Sequence, residues 1–120
     1  MISILPESEG NVIGIRASGT LTDGEYREIF MPAIENAIEE GKVARLLFFM
    51  DDSFEGAEWG VMWDDTKFGI KHCNDFEKVA VVGGPAWVEW GARLSGYLMK
   101  AEVKTFPPKK LGEAWDWIKG

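Results

Sequence analysis

Four carboxylates lie close together in the middle of this 120-residue chain. They could form a cation site if the fold brought their oxygens together. They are Asp51, Asp52, Glu55 and Glu58. Hard cations such as Mg²⁺ prefer clustered oxygen ligands, so this acidic turn would suit an enzyme that transfers phosphoryl groups. The alternative is structural, because the helix dipole stabilises carboxylates at a helix N-terminus by about 0.3–1 kcal/mol each. We expect the structural role, with no bound metal and no cofactor.

One serine in this turn, Ser53, and the chain's one histidine and one cysteine, His72 and Cys73, are the other reactive side chains nearby. A hydrolytic pair is unfavourable, because Ser53 and His72 lie at opposite ends of a predicted helix, roughly 20 Å apart. Adjacent helical residues point in different directions, so His72 and Cys73 do not form a metal site. The Gly-x-Ser-x-Gly nucleophile elbow is also missing. We expect no catalytic residue.

A glycine-rich strand exit, Gly83-Gly84-Pro85, would offer free backbone amides to an anion. The sequence has no Gly-x-Gly-x-x-Gly and no Walker lysine, so a nucleotide site is not indicated. Ligand crevices of open α/β sheets form at the carboxyl ends of the strands, where this exit and the acidic turn would meet. A pocket there would be bounded by turn residues and aromatic rings: Asp52, Ser53, Phe54, Trp59, Gly84 and Trp87.

The elements that would position these residues follow from hydrophobic periodicity and turn formers. Short β-type runs at 2–5 and 12–18 predict an antiparallel hairpin. Strands are predicted at 44–50 and 77–83, because each contains an unbroken apolar run, 46–50 and 79–82, typical of a strand buried on both faces. Alternation at 102–106 predicts an edge strand. Helices are predicted at about 23–40, at about 57–73, from Pro85 onward, and at about 109–119.

The first predicted helix begins at a capping box, because Thr22 and Glu25 have the S/T-x-x-E spacing. Pro32 lies inside this helix and predicts a kink or two abutting helices. Gly41 is expected to end it. Its apolar face is expected to hold Tyr26, Ile29, Phe30, Ala33 and Ala37.

The predicted order is β-β-α-β-α-β-α-β-α, one α/β domain over residues 1–120. Its sheet is mostly parallel and five-stranded, with one antiparallel N-terminal strand. Right-handed crossovers place the crossover helices on one face of such a sheet. Because the strand at 44–50 is apolar on both faces, the first or the last helix must cover the second face, or another molecule must.

Tryptophans pair at short spacing in the predicted helices, and most of them are expected to pack against the sheet. The pairs are Trp59 with Trp63, Trp87 with Trp90, and Trp115 with Trp117. Helical projection leaves other apolar residues outside, where another helix, a second subunit or a ligand would have to cover them. This expected interface holds Val61, Phe68, Val88, Met99 and Trp117. We expect a homodimer.

The formal net charge is −7. This charge repels phosphate backbones and anionic headgroups, so we expect no nucleic-acid partner. The N-terminus lacks the pattern of a signal peptide, and no apolar run approaches the roughly 18 residues needed to span a bilayer. A single cysteine fits a reducing compartment. We expect a cytoplasmic protein.

Several short motifs, in order and spacing, carry a family resemblance. They are Gly19-Thr20-Leu21-Thr22, Pro32, Phe54-Glu55-Gly56, Trp63-Asp64-Asp65, Lys71-His72, Ala80-Val81-Val82-Gly83 followed by Trp87, Ala101-Glu102-Val103 with Phe106, and Ala114-Trp115-Asp116-Trp117. Over nearly the whole chain they resemble the SpoIIAA-like family of small bacterial proteins, which is related to the STAS domains of anti-sigma factor antagonists.

The resemblance implies a singly wound β-α superhelix, a fold shared with STAS regulators and lipid-binding CRAL-TRIO domains. In STAS antagonists a serine at the start of the second helix is phosphorylated and controls partner binding. Ser53 is the nearest hydroxyl here, although neighbouring carboxylates disfavour a dianionic phosphate.

Together these patterns predict a non-enzymatic, STAS-like regulatory or binding domain that acts through a protein partner or a small apolar ligand. Two alternatives stay open. One is a Mg²⁺-dependent phosphoryl-transfer enzyme that uses the acidic turn at 51–58. The other is a phosphorylatable switch with Ser53 as the acceptor.

Overall fold

The fold is described by a computed structural model, which covers residues 1–58, 60–61, 67, 71, 74–84 and 101–120. Its strands are β1 (Ile2–Ile4), β2 (Val12–Ala17), β3 (Thr20–Leu21), β4 (Ala44–Met50), β5 (Gly56–Ala57), β6 (Phe76–Gly83) and β7 (Glu102–Phe106). Its described helices are α1 (Asp23–Glu25), α2 (Met31–Gly41) and α3 (Leu111–Lys119), with a π-helical turn at Tyr26–Phe30 and a 3-10 turn at Pro108–Lys110.

The main sheet has five strands in the order β1-β2-β4-β6-β7. β1 runs antiparallel to β2, and every other neighbouring pair is parallel. This confirms the predicted α/β class and its mostly parallel five-stranded sheet. None of the helices within the described residues is long and apolar enough to cross a membrane.

Alternate residues of the central strand β4 enter two different cores, as its unbroken apolar run predicted. Leu46 belongs to the core on the α2 side, and Leu47 belongs to the core on the α3 side. The last helix therefore covers the second face, which was one of the predicted solutions. The crossover rule does not apply to α3, because α3 does not connect two strands of the described sheet.

The π-helical turn at Tyr26–Phe30 separates α1 from α2, and Pro32 lies in the first turn of α2. Proline has no N–H to donate and its ring crowds the carbonyl four residues earlier, so a regular helix is interrupted here. The wider turn changes the helical phase. Ile29, predicted to face inward, is consequently 38% exposed, whereas Ile34 takes an inward position and is fully buried.

The end of α2 differs from its prediction in one respect. The helix stops after Gly41 as expected, but Lys42 takes the left-handed conformation with φ of 70°. Gly41 is instead required by packing, because a Cβ at this position would collide with the side chain of Asn11. The Asn11 amide in turn donates to the carbonyl of Val43 (3.0 Å), which ties the start of β2 to the end of α2.

A second, two-stranded sheet was not predicted. β3 pairs in parallel with β5, with Thr20 opposite Gly56 and Leu21 opposite Ala57. Each strand has only two residues, too few for hydrophobic periodicity to be visible in the sequence. The small sheet extends from the end of the main sheet where β2, β4 and β6 finish. We call this region, residues 18–22, 51–57 and 83–84, the carboxyl end.

Candidate functional site

Strand register brings three turns together at the carboxyl end. Ala17 at the end of β2 lies opposite Met50 at the end of β4, and Met50 lies opposite Gly83 at the end of β6. The turn residues that follow, including Ser53 and Gly84, therefore share this end of the sheet. The structure thus places the described members of the predicted pocket, Asp52, Ser53, Phe54 and Gly84, in one region.

Asp51 is the centre of a hydrogen-bond network at the carboxyl end. Its Oδ2 accepts from the Ser18 hydroxyl (2.6 Å) and from Arg16 Nε (2.8 Å). Its Oδ1 accepts from the Ser53 hydroxyl (2.7 Å) and from the Ser53 N–H (2.9 Å). The Arg16 guanidinium also lies 5.8 Å from the centroid of the Phe49 ring. One carboxylate therefore connects the ends of β2 and β4.

This network keeps Asp51 ionised. The hydroxyls of Ser18 and Ser53 donate to its carboxylate, the Arg16 guanidinium adds a charge-assisted bond, and together they hold the pKa of Asp51 far below its usual value of 3.8. The four donors occupy the lone pairs that would otherwise bind a cation. Asp51 is thus a fixed negative charge with a structural role.

Ser53 fastens the turn at 51–55 to the loop that enters β3. The Gly19 N–H donates to the Ser53 hydroxyl (3.2 Å) and to the Ser53 carbonyl (3.1 Å). The Glu55 N–H donates to the Gly19 carbonyl (2.7 Å). Gly19 has φ of +60°, a conformation that favours glycine. The two loops therefore form one connected surface.

The side chains of residues 52–55 on this surface are exposed and polar, except for one half-buried aromatic ring. Asp52, Ser53 and Glu55 are exposed. Phe54 is half-buried and packs against the α2-side core and against the small cluster formed by Ala17, Met50 and Val81. Phe54 therefore packs the turn against the sheet, while its neighbours in the turn are exposed to solvent.

Glu58, the last of the four clustered carboxylates, caps α1. Its Oε1 accepts from the Asp23 N–H (2.9 Å), and Asp23 also pairs with Arg27. Across the described residues, no group of three or more His, Cys, Asp or Glu side chains is arranged to hold a metal ion. Asp51 and Glu58 both accept from nearby donors, which favours the structural interpretation of the acidic turn.

The predicted capping box at the start of α1 is confirmed. The Glu25 N–H donates to Thr22 Oγ1 (3.1 Å), and the Thr22 N–H donates to Glu25 Oε1 (3.3 Å). Glu25 Oε2 also accepts from the Ile2 N–H (2.9 Å) and lies 3.3 Å from the N-terminal ammonium of Met1. Partial burial acts to raise the pKa of Glu25, but these hydrogen bonds outweigh it and lower the pKa.

The glycines at the end of β6 are explained by close packing. Gly83 and Gly84 have φ of +77° and +85°. A Cβ on Gly83 would lie 2.5 Å from the Met50 carbonyl oxygen, and one on Gly84 would lie 2.6 Å from the Met50 sulfur. Met50 is fully buried beneath them. These glycines therefore let β6 leave the sheet over Met50.

The expected interface is only partly visible. Val61, predicted to lie outside its helix, is instead 5% exposed and belongs to the α2-side core, so its predicted outward position was wrong. Trp117 is half-buried beside Phe106, with ring centroids 6.0 Å apart. Five other predicted site or interface residues lie outside the described residues: Trp59, Phe68, Trp87, Val88 and Met99.

Arg16 and Ser18 complete the Asp51 network, but no sequence pattern singles them out. They lie 35 and 33 residues before Asp51. The parallel pairing of β2 with β4 is the feature that could have identified these residues, because residues at the ends of neighbouring parallel strands meet at one end of the sheet.

A groove of about 700 Å³ lies at the opposite end of the sheet, between the loop at 8–10, the start of β2 and α2. Glu9, Glu39 and Glu40 are among its walls. It is remote from the carboxyl end and contains none of the predicted site residues.

Comparison with known proteins agrees with this fold. The family model described as SpoIIAA-like matches residues 12–119. The chain is also similar to a crystal structure of an uncharacterised DUF3478-family protein with a SpoIIAA-like fold from Shewanella loihica PV-4. That similarity has 28% sequence identity and a TM-score of 0.73, and covers 98% of this chain and 93% of the other. No curated protein matches the chain.

Proposed function

The chain belongs to the SpoIIAA-like family, and we propose that it is a non-enzymatic regulatory domain that binds a protein partner at the carboxyl end of its sheet. The observation that carries this proposal is the Asp51 network. Its hydrogen bonds connect two exposed loops, and in all four of them the Asp51 carboxylate is the acceptor. A shaped, solvent-exposed surface is suited to recognition.

The charge of this surface indicates the chemistry of the partner. Asp52 and Glu55 are exposed on the turn, and the whole chain carries a formal charge of −7. A basic surface on the partner would be attracted to this acidic turn and would associate faster at low ionic strength. We therefore propose a protein partner with a basic contact surface.

Charge reversal on the turn tests this proposal. The double variant Asp52→Lys with Glu55→Lys changes two exposed side chains and none of the Asp51 bonds. The matched control is Glu113→Lys on α3, which is also exposed. A protein retained by immobilised wild type and by the control should be lost by the turn variant, and its retention should weaken with salt. Equal retention by all three proteins would contradict the proposed surface.

A small apolar ligand is a second form of the proposal. Phe54 provides a half-buried aromatic surface beside the exposed turn, and pockets of this type combine apolar walls with a few polar groups. Native mass spectrometry of freshly purified protein would reveal a bound lipid-like mass. If no mass is bound and tryptophan fluorescence does not respond to fatty acids, sterols or isoprenoids, the ligand form is excluded and the protein-partner form is unaffected.

The position and bonding of Ser53 favour a phosphorylation switch as a second candidate function. Its exposed hydroxyl donates to Asp51 and accepts from Gly19. A phosphate on Ser53 would place a dianion beside a carboxylate that stays ionised because of its lowered pKa. The repulsion would separate the turn at 51–55 from the Gly19 loop. Phosphorylation would therefore change the proposed binding surface directly.

Phosphoserine placed at position 53 tests this switch. Amide exchange at Gly19 and Glu55 should accelerate relative to unmodified protein, while exchange in β4 stays unchanged. Ser53→Ala serves as the control, because it removes the hydroxyl without adding charge. Unchanged exchange at Gly19 in the phosphorylated protein would contradict the switch.

The enzyme alternative makes a different prediction. If the acidic turn binds Mg²⁺, calorimetric titration should give saturable binding that Asp51→Asn abolishes. We expect no such binding, because Arg16, Ser18 and Ser53 already donate to Asp51. Saturable binding that depends on Asp51 would replace the regulatory proposal with the enzymatic one.

A further inference from the structure

The strand β7 lies at one edge of the main sheet. In the strand order it pairs with β6 on one side, and no other strand of the described residues pairs with it. An edge strand presents unpaired backbone N–H and C=O groups that a further strand can use. Proteins commonly prevent such pairing with charges on the edge, so the arrangement of charges on β7 decides what it can pair with.

Two opposite charges on β7 share one face of the sheet. Lys104 Nζ lies 5.3 Å from the centroid of the Phe106 ring and 5.9 Å from that of Trp117, so Lys104 is on the α3 side. Glu102 is two residues earlier and therefore points to the same side. Its register partner on β6 is Lys78, whose Nζ also lies near the Trp117 ring, at 5.1 Å. Glu102 and Lys104 are both exposed.

The sequence Glu102-Val103-Lys104 is complementary to itself in the antiparallel direction. If Val103 lies opposite Val103 of a second copy, each Glu102 faces a Lys104 across the new strand pair. Cross-strand pairs of opposite charge stabilise a sheet, and like charges directly opposite destabilise it. Registers centred on Glu102 or on Lys104 would place like charges opposite each other. The charges therefore permit one register and oppose its neighbours.

We propose that two copies of this chain associate through antiparallel pairing of β7 with β7, on a two-fold axis through Val103. The sheet then continues from one subunit into the other as ten strands. Pro107 and Pro108, which lack N–H groups, follow each β7 and cannot extend it as a pairing strand. Half-buried Trp117 lies beside Phe106 and Lys104 on the α3 side, which puts it next to the seam.

This dimer uses a surface different from the carboxyl end, so its test is independent of the proposed regulatory function. With the axis through Val103, only Glu102, Val103 and Lys104 of each β7 lie opposite β7 of the other copy, and so small an interface belongs to a transient complex. We therefore expect a dimer that dissociates on dilution and at high salt.

Disulfide trapping tests the register. In a Cys73→Ser background, Val103→Cys should form a covalent dimer under mild oxidation, because its Cα lies opposite its own symmetry mate within disulfide range. Thr105→Cys is the matched control on the same strand and face. It should not crosslink, because residue 101 of the second copy lies opposite it. If Val103→Cys crosslinks no faster than Thr105→Cys, the proposed pairing is wrong.

Charge exchange tests the complementarity. Lys104→Glu should weaken the dimer by roughly tenfold in sedimentation velocity, because two attractive pairs become repulsive. The double variant Glu102→Lys with Lys104→Glu restores opposite charges and should restore the dimer. Circular dichroism confirms folding of each variant, since Glu102 also neighbours Lys78 within the subunit. A monomeric wild type, or a double variant as weak as the single one, would overturn the proposal.

Discussion

The α3 side of the sheet and the carboxyl end are held by different interactions. On the α3 side, Trp115 is 8% exposed and its ring lies directly over Gly14, where a Cβ would meet the ring at 2.5 Å. At the carboxyl end, Asp51 accepts four hydrogen bonds from Arg16, Ser18 and Ser53. The first region is fixed by apolar burial and the second by charge and hydrogen bonds.

The difference reflects what each region must do. Burial of apolar surface contributes most of the folding free energy, but it also hides the residues that supply it. A surface that is to be recognised has to keep its shape while it stays in water. Hydrogen bonds to an ionised carboxylate provide that shape without burial, and each is stronger than a bond between neutral groups. We therefore expect the α3 side to control global stability and the carboxyl end to control local conformation.

The largest effect is expected on the α3 side. Trp115→Ala removes a large buried ring that packs between Gly14 and the rest of the core, and should lower the free energy of unfolding by about 3–5 kcal/mol. Urea denaturation followed by circular dichroism measures this. A loss below that range would mean that the ring contributes less than its burial indicates.

A double-mutant cycle sharpens the same side of the comparison. Gly14→Ala should cost about 1–3 kcal/mol in wild type, because its Cβ would overlap the Trp115 ring. In the Trp115→Ala background the same change should cost far less, since the ring is gone. If Gly14→Ala lowers the free energy of unfolding equally in both backgrounds, Gly14 is required for a reason other than this contact.

Asp51→Asn should reduce global stability less than either substitution on the α3 side. It should also change the response to acid. The folded state lowers the pKa of Asp51, so its contribution is complete above the usual carboxyl pKa of 3.8 and is lost as the pH falls below it. Urea midpoints between neutral pH and about pH 3 should therefore fall more steeply for wild type than for the variant. If the urea midpoints of wild type and variant fall equally with pH, the negative charge assigned to Asp51 is contradicted.

The smallest effect is expected for Ser53→Ala. It removes a hydroxyl that donates to Asp51 and accepts from Gly19 on an exposed turn, and should cost about 0.5–1 kcal/mol. Ser8→Ala provides a control, since its half-buried hydroxyl accepts from the Gly14 N–H (2.9 Å) away from the carboxyl end. Exchange at Gly19 should change only in the Ser53 variant. A change at Gly19 in both variants would mean that the loop responds to general destabilisation.

Features set by neighbouring residues were predictable from the sequence. The apolar runs within 44–50 and 77–83 and the Thr22 and Glu25 capping box depend on spacing within a few residues. Each corresponds to an observed element, with β6 starting one residue earlier than predicted.

Features that depend on distant residues or on a change of helical phase were not predictable. Ile29 was misplaced because the π-helical turn before Pro32 breaks the 3.6-residue period. Val61 was predicted to lie outside its helix, but it packs among residues of the α2-side core that are distant in the sequence. Asp51 was recognised as an acid near a helix, but its role follows from Arg16 on β2 and from Ser18 in the loop after it.

Hydrogen exchange at the Gly19 and Glu55 amides in wild type and in Asp51→Asn tests the central claim most directly. These amides connect the two loops, through bonds to Ser53 and to the Gly19 carbonyl. If Asp51 holds the loops in one shape, both amides should lose protection in the variant, while amides in the middle of β4 keep theirs. Unchanged protection at Gly19 and Glu55 would show that the loops hold their shape without Asp51 and would contradict the account.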